Sequence, residues 1–143
     1  MSNRSSGILL HPTSLPETPG IGTIGKRAYK FVDWLASANQ TLWQILPIGP
    51  TGYGDSPYAS FSTFAGNPYY ISLDKLIEEG LLTEQECENC DYGDNPEYVN
   101  YEKIYNTRFK LLRMAFDRAN IINQDAYKSF VEENKEWLKD YAM

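Results

Sequence analysis

Hydrophobic residues are distributed along this chain in two rhythms, short unbroken runs and stripes of helical period. Gly7-Ile8-Leu9-Leu10 is a continuous apolar run that stops at His11-Pro12, where proline cannot donate to a ladder, and it predicts a short buried strand. A loop over residues 13–25 follows, with Pro16, Pro19 and three glycines. From 26 to 39, Ala28, Phe31, Val32, Leu35 and Ala36 recur at the spacing that lays one stripe along one helix face. Residues 41–48, carrying Trp43, Ile45, Leu46 and Ile48, read as a second buried strand. Strand, helix and strand in that order make a βαβ unit, which implies parallel strands covered by helices.

Beyond residue 48 the rhythm breaks. Residues 49–68 hold four glycines and three prolines among small polar residues, with Tyr53, Tyr58, Phe61 and Phe64 interspersed, and predict a long loop without a regular element. Loops of that length inside compact domains are usually functional. Residues 69–73 read as a short extended segment and 74–82 as a short helix. Residues 101–119 predict an amphipathic helix built on Tyr101, Ile104, Tyr105, Phe109, Leu112 and Phe116, and 124–134 a further helix. Trp137, Leu138, Tyr141 and Ala142 set up another helical stripe that runs to Met143 without a stop signal, so the pattern predicts a helix cut short. Two parallel strands do not close a barrel or a doubly wound sheet, and partner strands are therefore expected outside this chain.

Composition narrows the function. A chain of 143 residues, 42% hydrophobic and 22% charged, fits one soluble globular domain. Its 13 basic and 19 acidic residues give a net charge of −6 with no basic block, which excludes a phosphate-backbone partner and hence nucleic acid. The run Ile8 to Leu10 is too short for a signal-peptide core and nothing nears the ~20 residues of a membrane span, so the reading is cytoplasmic, with no membrane partner. Cys87 and Cys90 form a Cys-x-x-Cys among Glu86, Glu88 and Asp91, a setting that raises thiol pKa values, and with His11 the only histidine they do not make a zinc set. They read as ordinary reduced thiols.

Gly20-Ile21-Gly22-Thr23-Ile24-Gly25 spells the dinucleotide fingerprint, but prolines intervene after the strand and no acidic residue follows the second strand to hold a ribose. Those glycines are expected to serve turns or close backbone approach. The aromatic share, 14%, exceeds what a core of this size needs. A flat ring can lie on the apolar face of a sugar while a phenol bonds a sugar hydroxyl. Tyr53 and Tyr58, beside Asp55 and Ser56 just after a strand, stand where α/β folds place ligands.

Three blocks then carry a resemblance. Gly7-Ile8-Leu9-Leu10-His11-Pro12-Thr13-Ser14-Leu15-Pro16 with Gly20-Ile21-Gly22, then Trp43-Gln44-Ile45-Leu46-Pro47-Ile48-Gly49-Pro50-Thr51-Gly52, then Ser56-Pro57-Tyr58 with Phe64-Ala65-Gly66-Asn67-Pro68, resemble the N-terminus of the amylomaltases. These are 4-α-glucanotransferases whose plant relatives are called disproportionating enzymes. The similarity is strong over residues 4–82 and returns at Glu136-Trp137-Leu138-Lys139-Asp140-Tyr141-Ala142.

The resemblance implies an α/β fold, the first two β/α units of a (β/α)8 (TIM) barrel of the α-amylase clan, over residues 1–75. Residues 76–143 would be a mainly helical insertion. It implies retaining transfer of α-1,4-glucan segments between maltodextrins, without a cofactor, with maltodextrin, amylose or glycogen as partner. The family's catalytic carboxylates lie beyond the stretch represented here, so no residue of this chain is given a catalytic role and the fragment alone is expected to be inactive, needing the rest of the barrel. The substrate contacts implied are Tyr58, as the tyrosine stacking on the glucose at the cleaved bond, with Ser56 and Asp55 as hydrogen-bonding neighbours. Tyr53 and Tyr101 would form a secondary glucan site. For Asp55 a turn-forming role stands equally open, and for Tyr101 helix packing. His11 is expected to be a hydrogen-bonded structural residue. A maltodextrin hydrolase, or a glucan-binding segment without chemistry, are the alternatives.

Overall fold

The computed structural model describes residues 4–16 and 20–142; Pro19 and Met143, named above, lie outside them. Strand β1 (Gly7–Leu9) pairs in parallel with β2 (Leu42–Gln44), Ile8 opposite Trp43. Between them runs helix α1 (Lys26–Ser37), so the βαβ unit has the expected order. α1 stops because Asn39 turns left-handed at φ 55°. Its amide then bonds the carbonyl of Ala36, and Gln40 bonds that of Leu35, the paired bonds of a Schellman ending. Phe31 of α1 meets Trp43 of β2 edge to face at 5.0 Å, and the indole N–H of Trp43 donates to the carbonyl of Leu10 at 2.7 Å.

The expectation of two buried strands is corrected in two respects. β2 is three residues long, not eight, and the sheet is open: Leu9, Leu42, Ile45 and Ile48 are exposed and Ile8 is at the margin. A two-stranded sheet leaves each strand a free edge, and α1 meets it through few side chains. The same holds on α1, where Ala28 and Leu35 are buried but Val32 and Ala36 are not.

The core sits in the helical half. Residues 69–73 are not extended as expected; a 3-10 turn, Pro68–Tyr70, buries the rings of Tyr69 and Tyr70 and is capped by Asn67, whose side chain accepts from the amide of Tyr69 at 2.9 Å. α2 (Leu73–Glu78) is shorter than the helix expected over 74–82, and α3 (Glu84–Glu88) follows. α3 exists because Thr83 and Glu86 form a capping box, each side chain accepting from the other's amide. α4 (Tyr101–Ala119) occupies the expected span, started by Asn100 accepting from the Lys103 amide and ended by Asn120 at φ 47°. α5 (Asp125–Glu133) and α6 (Lys135–Tyr141) complete the chain order.

The buried face of α4 is Ile104, Thr107, Arg108, Leu111 and Ala115, so the stripe expected from the sequence is offset: Tyr105, Phe109 and Phe116 are exposed. Leu111 and Ala115 pack with Leu73, Leu82 and Cys87, while Ile104 packs with Ile21 and Tyr69, and Tyr92 touches both groups. Cys87 and Cys90 are free thiols, and burial pushes the Cys87 pKa up. The glycines of the rejected fingerprint serve backbone geometry. Gly20 has φ +76°, and a Cβ on Gly22 would lie 2.0 Å from the carbonyl oxygen of Pro12. No helix among the described residues is long and apolar enough to cross a membrane.

Arg108, only 1% exposed, donates Nη2 to the carbonyl of Tyr69 at 2.9 Å and to that of Ile71. It thereby ties α4 to the turn that carries Tyr70. The Tyr70 hydroxyl lies 2.8 Å from His11 Nε2, and the Leu46 amide donates to His11 Nδ1 at 3.2 Å. With Nδ1 an acceptor, the neutral ring carries its proton on Nε2 and donates to Tyr70, and burial lowers the pKa of His11 in keeping with that neutral form. His11 is thus the hydrogen-bonded structural residue expected.

Arg108→Met retains a long stem but leaves two inward carbonyls without their donor; it is expected to lower stability by about 3 kcal/mol, read from the urea midpoint. A second prediction concerns Glu86. The Arg118 guanidinium grips it at 2.7 and 2.9 Å and, with the Thr83 amide, lowers its pKa from 4.5 to about 2. A depressed carboxylate pKa contributes stability above the unfolded value and loses it as pH falls through the folded one. The stability gap between wild type and Arg118→Met should therefore be full above pH 4.5 and narrow between pH 4.5 and about 2 to what the Arg118 bond to the Leu81 carbonyl contributes, as followed by urea unfolding at stepped pH.

Candidate functional site

The chain leaves β2 into the 49–68 loop, which carries most of the aromatic and small polar residues singled out in the sequence. The loop folds on itself through a bridge between Thr51 and Ser60, and its end is fastened by the Asn67 amide bonding the carbonyl of Ile48 at 2.9 Å. At its tip Asp55 has φ 51°, a left-handed conformation that aspartate tolerates better than most residues. Its amide bonds the carbonyl of Gly52, and its carboxylate accepts from the Thr51 hydroxyl at 3.1 Å. Asp55 is therefore a turn former, and its carboxylate also faces open space.

That space is a groove of about 1000 Å³ between the loop and α4. Tyr53, Asp55 and Phe61 line it from the loop, Tyr69 lines its floor, and Tyr101, Glu102, Tyr105, Asn106 and Phe109 line it from α4. Residues 101, 105 and 109 follow one another at four-residue steps, which places their rings along one helix face. The rings are in contact: Tyr105 and Phe109 are 4.9 Å apart, Tyr69 and Phe109 6.1 Å, and Tyr69 and Tyr101 6.2 Å.

Of the five residues expected to contact substrate, Tyr53, Asp55 and Tyr101 meet in this groove. Tyr101 both packs on the Ile21, Tyr69 and Ile104 group and lines the groove, so the two readings left open for it coexist. Ser56 and Tyr58 do not line it. The Ser56 hydroxyl accepts from the Tyr58 amide at 3.4 Å, and the Tyr58 ring is 74% exposed. Tyr69, Glu102, Tyr105, Asn106 and Phe109 were not expected as lining residues. The four-residue spacing of Tyr101, Tyr105 and Phe109 was the available signal, read above as core packing.

The groove's electrostatics favour neutral hydroxyl groups. Burial, reinforced by the Asp55 charge, pushes the Tyr69 pKa up to about 12, and the same two causes raise that of Tyr101 against a hydrogen bond with Thr13. Both phenols stay protonated at neutral pH and can donate as well as accept. Flat rings, phenols, the Asn106 amide and the carboxylates of Asp55 and Glu102 suit a neutral ligand with apolar faces and a rim of hydroxyls, which describes a sugar. Among the described residues no cluster of three or more His, Cys, Asp or Glu side chains could hold a metal ion.

Known proteins resemble this chain over nearly all of its length. A 4-alpha-glucanotransferase of Clostridium butyricum is 49% identical over 134 residues, covering 94% of this chain and 28% of the relative. One of Thermus thermophilus is 43% identical over 144 residues, with 98% and 28% covered. Among solved structures, an amylomaltase from Streptococcus agalactiae in complex with acarbose superposes with a TM-score of 0.88 at 40% identity, covering 98% of this chain and 28% of that one. The chain thus spans little more than a quarter of the length of these relatives. The family profile described as 4-alpha-glucanotransferase matches residues 10–143, nearly the whole sequence, and the chain belongs to that family.

Proposed function

We propose that this chain supplies the N-terminal, glucan-binding part of an enzyme that transfers α-1,4-glucan segments between maltodextrins with retention at the anomeric carbon. The family match over residues 10–143 carries the reading. On it, β1 and β2 are the first two strands of a (β/α)8 barrel within residues 1–75, and 76–143 form a mainly helical insertion. Parallel strands are ordinarily covered on both faces, and the exposure of Leu9, Leu42, Ile45 and Ile48 supports a sheet continued by further strands.

Tyr58 stacks on the glucose at the cleaved bond with Ser56 and Asp55 as its hydrogen-bonding neighbours, and Tyr53 and Tyr101 hold a second stretch of glucan in the groove, which Asp55 also borders. Asp55 and Glu102 receive no catalytic role. Nucleophilic attack by an aspartate and protonation of the leaving oxygen by a glutamate fall to the rest of the parent, and no cofactor enters. The proposed partners are maltodextrin, amylose and glycogen, and the proposed setting is the cytoplasm.

Joining residues 1–143 to the remainder of the Clostridium butyricum relative and supplying maltotriose should give glucose together with longer maltodextrins. Glucose without longer products would replace transfer by hydrolysis. In that chimera Tyr58→Ala should lower kcat/KM by about 10-fold or more, and Tyr101→Ala should weaken amylose binding about 3- to 10-fold, the share of one aromatic contact. The aromatic lining that Tyr69, Tyr101, Tyr105 and Phe109 give the groove favours a second reading as a glucan-binding segment. Retardation of the chain alone by amylose in a native gel, with no products from the chimera, would support it.

A further inference from the structure

We propose that Trp137 of α6 is a positioning residue for the groove: through its stack on Phe64 it holds the 49–68 loop against the helical half, so that Tyr53 and Asp55 face Tyr101. The proposal rests on the glucan reading of the groove given above.

Trp137 and Tyr141 are four residues apart on α6 and project from one face of it, their ring centroids 6.0 Å apart. Each stacks on a ring of the loop. Trp137 lies 5.7 Å from Phe64 with 22° between planes, and Tyr141 lies 6.0 Å from Phe61 at 11°. Phe61 and Tyr141 themselves line the groove, whereas Trp137 and Phe64 do not. Tyr141 is therefore part of the wall, and Trp137 acts one step behind it.

The indole is held in place from its own side. Its N–H donates to Asn134 Oδ1 at 2.9 Å, and the Asn134 amide donates to the carbonyl of Phe130 at 2.9 Å, so the junction of α5 and α6 orients the ring. The loop's own bonds, such as the Ser62 hydroxyl accepting from the amides of Phe64 and Ala65, shape it internally but do not link it to α6. Phe64 is 71% exposed, so its contact with Trp137 is a face-to-face clasp on the surface instead of burial in a core. Breaking such a clasp changes where the loop rests at little cost to the fold.

The test is calorimetric titration of the full chain with maltoheptaose, paired with amide hydrogen exchange across residues 51–60. Trp137→Ala should weaken binding about 5-fold and speed exchange over the loop by a similar factor, with far-UV circular dichroism unchanged. Trp137→Phe, which keeps a ring, should restore most of both. Phe64→Ala should match Trp137→Ala, and the double variant should be no worse than either single one. Binding and loop exchange in Trp137→Ala equal to wild type would overturn the proposal, as would additive losses in the double variant. If the wild-type chain takes up no maltoheptaose, the glucan reading fails on its own, and the exchange rates still decide whether Trp137 holds the loop.

Discussion

The guanidinium of Arg108 is the interaction on which the two halves of the chain depend. A charge taken almost wholly out of water is costly unless polar groups close around it, and here the carbonyls of Tyr69 and Ile71 do so. Those carbonyls belong to the segment that leaves the 49–68 loop and enters α2. Gripping them from the middle of α4 fixes the loop's exit against the helix. The next residue, Tyr70, hands the constraint on: its backbone carbonyl accepts from the Ile24 amide at 3.0 Å, and its hydroxyl meets His11. His11 in turn accepts from Leu46 just beyond β2. One run of polar contacts thus connects the helical core to the open end of the small parallel sheet, where apolar packing is sparse.

The groove is a by-product of that clamp. Tyr69 is buried because its turn is held, and its ring becomes the floor on which the Tyr101, Tyr105 and Phe109 face of α4 meets the loop. Aromatic residues therefore do three different jobs within a short distance. Tyr69 and Tyr70 are buried rings with raised pKa values, Tyr105 and Phe109 are exposed on a helix that is firmly packed on its other side, and Tyr53 and Tyr58 stand on a loop open to solvent. An arrangement with a rigid helical wall facing a loop wall suits a ligand that is long, neutral and repetitive, because each ring offers a similar contact to successive sugar units.

Much of this was legible in the sequence, and the failures have identifiable causes. α1 and α4 were readable because long stripes of helical period average over single exceptions, and the βαβ order followed from them. The strands were overestimated since apolar residues such as Trp43, Ile45, Leu46 and Ile48 signal burial, not hydrogen bonding, and Ile45 and Ile48 lie exposed beyond the three paired residues of β2. The turn at Tyr69 was missed because two consecutive tyrosines resemble a strand, while the cue that mattered was Asn67-Pro68 capping a 3-10 turn. α3 carried a readable capping box, Thr83 and Glu86, overshadowed by the polar character of the segment around it.

The groove shows why site residues are harder to read than elements. Tyr53, Asp55 and Tyr101 could be named singly, but Tyr105 and Phe109 have the spacing of core residues and were read as such. What separates them from the core is the phase of α4, whose buried face joins Ile104, Leu111 and Ala115 to Thr107 and Arg108, polar residues that a hydrophobicity pattern counts against burial. Thr107 is turned inward by its bond to the carbonyl of Asp91 at 3.0 Å, and Arg108 by the carbonyls of the Tyr69 turn. With those two polar residues on the inner face, Tyr105 and Phe109 point outward. Buried polar contacts, invisible to periodicity, thereby hide from the sequence which rings are free to meet a ligand.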